Sequence, residues 1–196
     1  MRSLTRRGVV VAALALAASS VHGATIWNES SQGDLPDDRL TPGVFVLAQG
    51  DNILEGVLEG FRPDGSLDRD FVTLTILPGF RLTRIDLLDY QSDDFAAFIG
   101  VQPGAVFFPD PDDVTPNDLL GWALFGPQDI GTDILPDIGA QGTGFTPPLE
   151  AGTYALWIQQ TGTLTNYSAS FVVEQIPAPG AASLVLVSLG LLRRRR

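Results

Sequence analysis

The stretch that decides the fold is DFVTLTIL, Asp70–Leu77, near the middle of the chain. Val72, Leu74 and Ile76 alternate with an aromatic residue and two threonines. Because successive side chains of an extended strand point to opposite faces, the three aliphatic residues share one face. β-Branched and aromatic residues are enriched in strands. The pattern therefore predicts a β-strand that buries at least its aliphatic face.

The segments on either side of this strand are also strand-like and are bounded by turn residues. Pro78-Gly79 predicts a turn into a second alternating strand over Arg81–Tyr90, with Leu82 and Ile85 on opposite faces. Val44–Gln49 and the apolar run that follows Gly50-Asp51-Asn52 predict a hairpin. The strands GTYALWIQQTG and YSASFVVEQ predict another hairpin near the end. About eight strands without a long amphipathic helix predict an all-β domain, an antiparallel sandwich or barrel.

The order of these elements resembles the bacterial pre-peptidase C-terminal domain. The matching positions are Asp70-Phe71 in the strand, Pro78-Gly79 at its turn, Ala151-Gly152-Thr153-Tyr154 before the penultimate strand, and Tyr167 in the last strand. The resemblance covers Gly33–Val173. It implies a single antiparallel, jelly-roll-like β-sandwich over residues 24–175. It also implies an accessory module of a secreted protein, without catalytic activity of its own.

The first 23 residues have the layout of a secretory signal peptide. Arg2, Arg6 and Arg7 precede an uninterrupted apolar run, Val9–Ala18, and small residues precede a cleavage position between Gly23 and Ala24. An uncleaved membrane anchor is the alternative, but a spanning helix needs about 20 apolar residues. We expect a signal helix, passage through the secretion machinery and removal of residues 1–23.

The other end, residues 176–196, combines a proline pair, an apolar run over Ala181–Leu192 and four arginines. This order resembles the PEP-CTERM sorting signal of Gram-negative bacteria, with Ala178 where the motif usually has Glu. The resemblance implies a short hydrophobic helix that anchors the chain in the inner membrane until an exosortase removes it. The arginine block should stay cytoplasmic. The implied sorting motif consists of Pro177, Ala178, Pro179, Arg193, Arg194, Arg195 and Arg196.

The composition excludes several classes of function. Residues 24–175 hold five arginines, no lysine and all 23 acidic residues, which gives this part a formal charge of −18 against −11 for the whole chain. Such a surface repels phosphate backbones, so nucleic acid is not an expected partner. The chain has no cysteine, and its one histidine, His22, falls in the signal peptide. Thiol, Ser-His-Asp and Schiff-base catalysis and His-ligated zinc are therefore excluded from the mature domain.

Two acidic loops are candidates for Ca²⁺ binding, because this ion prefers oxygen ligands in flexible loops. Neither has the spacing of an EF-hand, and the alternative is that they are polar turns. The candidate ligands are Asp64, Asp68 and Asp70 in the first loop and Asp110, Asp112, Asp113 and Asp118 in the second. We expect at least two of these carboxylates to converge on one gap if calcium binds.

Two other sets of residues bear on function. Trp27, Trp122 and Trp157 suggest either a sugar-stacking platform or, more commonly for strand tryptophans, part of the core. Carboxylates such as Glu55 and Glu59 suggest a hydrolase only if a pair lies at catalytic separation. We expect an exported, non-enzymatic protein of the cell envelope or extracellular matrix that requires no cofactor. The alternative is a calcium-dependent module that binds carbohydrate such as exopolysaccharide.

Overall fold

The computed structural model describes residues 23–177. The expected signal helix, the hydrophobic C-terminal helix and the sorting residues Ala178, Pro179 and Arg193–Arg196 lie outside these residues. No helix among the described residues has the length and apolar composition needed to cross a membrane. Nine strands and two short α-helices follow one another in the described part: β1 (Ala24–Asn28), α1 (Glu29–Gln32), β2 (Gly43–Val46), β3 (Gly50–Leu58), β4 (Arg69–Ile76), β5 (Phe80–Gln91), β6 (Ala97–Pro103), β7 (Gly121–Phe125), α2 (Leu135–Gly139), β8 (Gly152–Gln159) and β9 (Thr165–Gln175).

The strands form two sheets that share one apolar core. Sheet A has the order β1-β3-β9-β5, and sheet B has the order β2-β4-β8-β6-β7. Leu54 and Phe171 of sheet A and Val72 and Leu156 of sheet B are buried in the same cluster. Burial of this apolar surface is the main stabilising term for a domain of this size. The all-β prediction is confirmed, and the two-sheet arrangement is consistent with a β-sandwich.

The prediction that all strands pair antiparallel is wrong at two sheet edges. β1 runs parallel to β3, and β2 runs parallel to β4, whereas the other five ladders are antiparallel. The reason lies in the chain path, which alternates between the sheets from β1 to β5. A strand that returns to its first sheet after one visit to the other has reversed direction twice. It therefore runs parallel to the strand it left.

Both predicted hairpins are also wrong. β2 and β3 lie in different sheets, and so do β8 and β9. The turn residues between these strands do reverse the chain, but the reversal carries it across the core instead of along the sheet. Period-two alternation shows which face of a strand is buried, and it does not show which strand is the partner.

The strand β4 has the two faces that its sequence predicts. Val72, Leu74 and Ile76 are buried in the core between the sheets. Phe71 points to the other face of sheet B, where it packs with Phe107. A second, smaller cluster is therefore formed on the outer face of sheet B, under the connection between β6 and β7. Burial on both faces fixes the position of β4, and hence of Asp68 and Asp70 at its start.

The faces of β5 differ from the prediction. Leu82 and Ile85 are both buried, although an odd separation should place them on opposite faces. The register with β9 shifts between Leu82 and Arg84 and again between Leu87 and Asp89. Each shift is a β-bulge that inserts one extra residue and resets the alternation. Two bulges in one 12-residue strand are invisible to a strict period-two pattern.

Candidate cation site

Five carboxylates gather around the start of β4, where α1 and the loop after it approach the β3–β4 loop. Oxygens of Glu29, Asp34 and Asp70 lie within 4.8 Å of one another, and we call these residues the inner triad. Oxygens of Asp34, Asp37 and Asp68 meet the same limit, and we call them the outer triad. Asp34 belongs to both triads, so the two possible cation positions are neighbours.

Glu29 is placed by backbone hydrogen bonds from two other segments. Its Oε1 accepts from the Leu35 N–H at 2.5 Å, and its Oε2 accepts from the Val57 N–H on β3. The hydrogen bond from Leu35 brings the chain after α1 back against the Glu29 side chain. The Phe71 N–H then donates to the Pro36 carbonyl at 3.1 Å, which ties this loop to β4. The acidic loop is thereby held against the start of the strand.

Asp70 is the most constrained member of the inner triad. Its side chain is fully buried, and its Oδ2 accepts a hydrogen bond from the Tyr167 hydroxyl at 2.6 Å. No donor among the described residues reaches its Oδ1. Desolvation by burial, with a contribution from neighbouring Glu29, raises the pKa of Asp70 well above 3.8. A buried carboxylate oxygen without a partner is costly, and a bound cation would satisfy it.

The other two members of the inner triad are also disfavoured as anions. Desolvation raises the pKa of Glu29 to about 7, against the opposing effect of the Leu35 and Val57 N–H groups. Burial also raises the pKa of Asp34, although the Arg62 guanidinium counteracts it. Two buried carboxyl groups, Glu29 and Asp70, therefore lie beside the exposed carboxylate of Asp34, and only Asp34 contacts a described basic group. A divalent cation there would reverse the balance and favour all three ionised forms.

The outer triad, in contrast, already has a positive partner. The Arg62 NH2 group lies 3.0 Å from Asp34 and 2.8 Å from Asp68, and its NH1 group pairs with Asp37. Asp68 is buried and also accepts a hydrogen bond from the Glu59 N–H. Desolvation raises its pKa to about 6, although the Glu59 N–H and Arg62 oppose this. The guanidinium thus ties all three outer carboxylates together.

The structure brings two of the seven sequence-predicted ligands into this cluster. Asp68 and Asp70 lie in neighbouring triads, whereas Asp64 is exposed and accepts hydrogen bonds from Ser66 in its own turn. Asp110 and Asp112 form ion pairs with arginines on other elements. Asp113 and Asp118 belong to the β6–β7 connection and to neither triad. Glu29, Asp34 and Asp37 were not predicted from the sequence.

The tryptophans do not form one surface. Trp157 is 4 % exposed and packs on Phe98 in the outer cluster of sheet B, with ring centroids 4.6 Å apart. Trp122 stacks on the other side of this cluster at 6.0 Å from Phe98. Trp27 is on sheet A and contacts Phe45. Trp157 is therefore a core residue, which removes it from any sugar-stacking platform.

The two glutamates considered for catalysis make separate contacts. Glu55 on β3 accepts a hydrogen bond from the Asn28 side chain, and Glu59 pairs with Arg62 at 3.4 Å. Neither belongs to the triads of closely spaced carboxylates. The two glutamates are therefore engaged with different partners among the described residues.

Comparison with known proteins adds no assignment to this geometry. A scan against models of known protein families finds no match for the chain, and a search of curated proteins finds no relative.

Proposed function

We propose that this chain is an exported, non-enzymatic accessory protein whose β domain binds a divalent cation, Ca²⁺, at the inner triad. The observation that carries the cation proposal is Asp70 Oδ1, a fully buried carboxylate oxygen without a hydrogen-bond partner in the described structure. Its carboxylate is grouped with those of Glu29 and Asp34. Asp70 and Asp34 come from different segments, so the ion would join the loop after α1 to the sheet.

The chemistry of the donors supports calcium over transition metals. All three side chains offer hard oxygen ligands, and residues 23–177 contain neither histidine nor cysteine. Two oxygens that each lie about 2.4 Å from a Ca²⁺ ion are at most about 4.8 Å apart, and oxygens of Glu29, Asp34 and Asp70 all lie within 4.8 Å of one another. An adjoining cavity of about 230 Å³, lined in part by Glu29, Ser30 and Asp34, would admit the ion and water ligands.

Calorimetry on chelator-stripped protein tests this proposal. Titration with CaCl₂ should give a saturable heat, and the melting temperature should rise in the same buffer. MgCl₂ should give a weaker response, because Mg²⁺ demands near-octahedral geometry at about 2.0–2.1 Å and dehydrates reluctantly. A calcium titration without heat, together with an unchanged melting temperature, would contradict the proposal.

The export and sorting parts of the proposal rest on the sequence. The signal-like first 23 residues and the PEP-CTERM-like tail support transport to the envelope or extracellular matrix, with processing by an exosortase-type enzyme. The lack of lysine and histidine in residues 24–175 supports a non-enzymatic role, and the alternating sheet path supports a jelly-roll-like topology. Mass spectrometry of both ends of the mature protein tests the processing. Recovery of the protein from its native host with Arg196 still attached would contradict it.

A second candidate function, carbohydrate binding, is favoured by a groove of about 520 Å³ beside the cation site. Phe61 lines the groove and is 63 % exposed. Arg69 pairs with Asp112 and donates from Nε to the Gln159 side-chain oxygen at 3.2 Å. This oxygen also accepts from the Trp157 indole at 3.0 Å, and the Gln159 NH₂ group, which has no hydrogen-bond partner among the described residues, is left for a ligand. An exposed aromatic ring beside planar polar groups suits a neutral sugar.

The groove and the cation site are linked through β4. Arg69 lies between Asp68 and Asp70 in the sequence, and its backbone N–H donates to the Asp37 carboxylate at 2.9 Å. An ion that orders the acidic loop would therefore also order the groove. A panel of neutral hexasaccharides, titrated by NMR in CaCl₂ and in EGTA, tests this candidate. Phe61→Ala should weaken binding, and Phe95→Ala, which changes an exposed phenylalanine that does not line the groove, should not. A panel in which no sugar binds would contradict it.

A further inference from the structure

We infer that Arg62 occupies the outer triad as a built-in cation, so that the chain takes up one divalent ion at the inner triad and excludes a second ion. The inference rests on the proposed cation site, and it concerns the number of ions and the residue that sets it. Two carboxylate triads that share Asp34 would otherwise form two adjacent ion positions.

Every carboxylate of the outer triad contacts the guanidinium. One nitrogen, NH2, bridges Asp34 at 3.0 Å and Asp68 at 2.8 Å, and NH1 pairs with Asp37. A divalent ion that bound these same three oxygens would lie next to these nitrogens. The repulsion between a divalent ion and a guanidinium at such a distance is large, because the site is partly desolvated. Arg62 and a second ion therefore compete for the same ligands.

Arg62 will not relieve this repulsion by losing its proton. The hydrogen bond to Asp37 raises its pKa from an already high value, with further contributions from Asp68 and Glu59. Guanidinium groups remain charged in proteins. Arg62 therefore keeps its positive charge beside the outer triad at every accessible pH.

The position of the guanidinium is fixed by the turn that carries it. The Arg62 N–H donates to the Ser66 carbonyl at 2.8 Å, and the Gly65 N–H donates back to the Arg62 carbonyl at 2.9 Å. Its side chain is only 22 % exposed. Exposed ion pairs are worth little because flexible side chains must be ordered. Here a closed turn and four acidic partners order the arginine, including Glu59.

The inner triad shares only one of its carboxylates with Arg62. Neither Glu29 nor Asp70 forms an ion pair with a described basic residue, and only Asp34 touches Arg62, through its Oδ2. The contact leaves Oδ1 of Asp34 available and holds the carboxylate between the two triads. Arg62 is therefore a positioning residue for the shared ligand as well as the group that excludes the second ion.

Counting bound calcium tests the inference. Calorimetry and native mass spectrometry should give one ion per wild-type chain, and two ions for Arg62→Gln, with the second bound more weakly. Arg62→Lys keeps the charge and should bind one ion. Arg39→Gln is the matched control, since it removes an arginine that pairs with Asp110 outside both triads, and it should also bind one ion.

The outcomes separate this inference from the proposed function. One ion in both the wild type and Arg62→Gln would overturn the role of Arg62 and leave the inner site standing. Two ions in the wild type would overturn it as well. No ion in the wild type would overturn the proposed function itself and, with it, the count of one ion per chain. If Arg62→Gln does not fold, two ions bound to Arg62→Lys would still overturn the inference.

Discussion

Replacement of Asp70 by asparagine should abolish the stabilisation of the domain by calcium. The substitution keeps the size of the side chain, and the amide oxygen can still accept the hydrogen bond from Tyr167. The amide NH₂ group then takes the place of Oδ1, the buried oxygen without a partner. A donor replaces an anionic ligand at the inner triad. The change therefore removes the ligand with the least alteration of packing.

The expected magnitude follows from mass action. A ligand that binds only the folded state stabilises the protein by about 2.7 kcal/mol when its free concentration is 100 times its dissociation constant. For a domain of this size, each kcal/mol shifts the melting temperature by about 2–4 °C, so saturating calcium should raise the wild-type value by about 5–10 °C. In EGTA, Asp70→Asn should be at least as stable as the wild type near pH 7. The wild type must bury a carboxyl group whose ionised form is strongly disfavoured there.

Thermal unfolding followed by circular dichroism in CaCl₂ and in EGTA measures both effects. Asp113→Asn is the matched control, because it makes the same chemical change at a residue outside both triads. It should keep the full calcium shift. A wild-type-sized calcium shift in Asp70→Asn would refute the reasoning, because the ion would then be bound elsewhere.

Three further predictions concern the same region. In EGTA, stability should fall as pH rises from about 4.5 to about 7, because burial raises the folded-state pKa of Glu29 to about 7 and the protonated form favours folding; melting temperatures that rise across this window would contradict it. Tyr167→Phe should cost about 1–3 kcal/mol in urea unfolding in EGTA, because it leaves Asp70 Oδ2 without a donor, and a change below the measurement error would count against a structural hydrogen bond. Gly56→Ala should cost about 1–3 kcal/mol, because its Cβ would overlap the Tyr167 ring; Gly152→Ala, whose Cβ would meet only ordinary contacts, is the control, and equal losses would contradict the packing argument.

The sequence was sufficient for the features that depend on local alternation. Val72, Leu74 and Ile76 are buried together as predicted, because β4 has a regular register with β8. The same reasoning failed on β5, where two bulges reset the pattern. It also failed for the hairpins, since turn residues specify a reversal and leave the receiving sheet undetermined. Sheet assignment depends on how all strands pack, which no single segment encodes.

Two of the five carboxylates of the candidate site were predicted from the sequence. Asp68 and Asp70 lie close together in the chain at the start of a strand with clear alternation, and this spacing predicts neighbouring ligands. Glu29 and Asp34 are more than thirty residues earlier, and only the parallel pairing of β1 with β3 and the curled loop after α1 bring them to β4. The acidic run from Glu29 to Asp38 was the available signal. By itself this run is typical of a polar turn, and its role becomes clear only because the fold places Arg62 and Asp70 beside it.

Crystals of the protein grown with CaCl₂ would test the cation site most directly, through an anomalous difference map. We expect a single calcium peak in contact with Glu29, Asp34 and Asp70, about 2.3–2.6 Å from Asp70 Oδ1, with the Arg62 guanidinium still in contact with Asp68. A map without a peak at the inner triad at saturating calcium would contradict it, and so would an ion seated in the outer triad with Arg62 displaced.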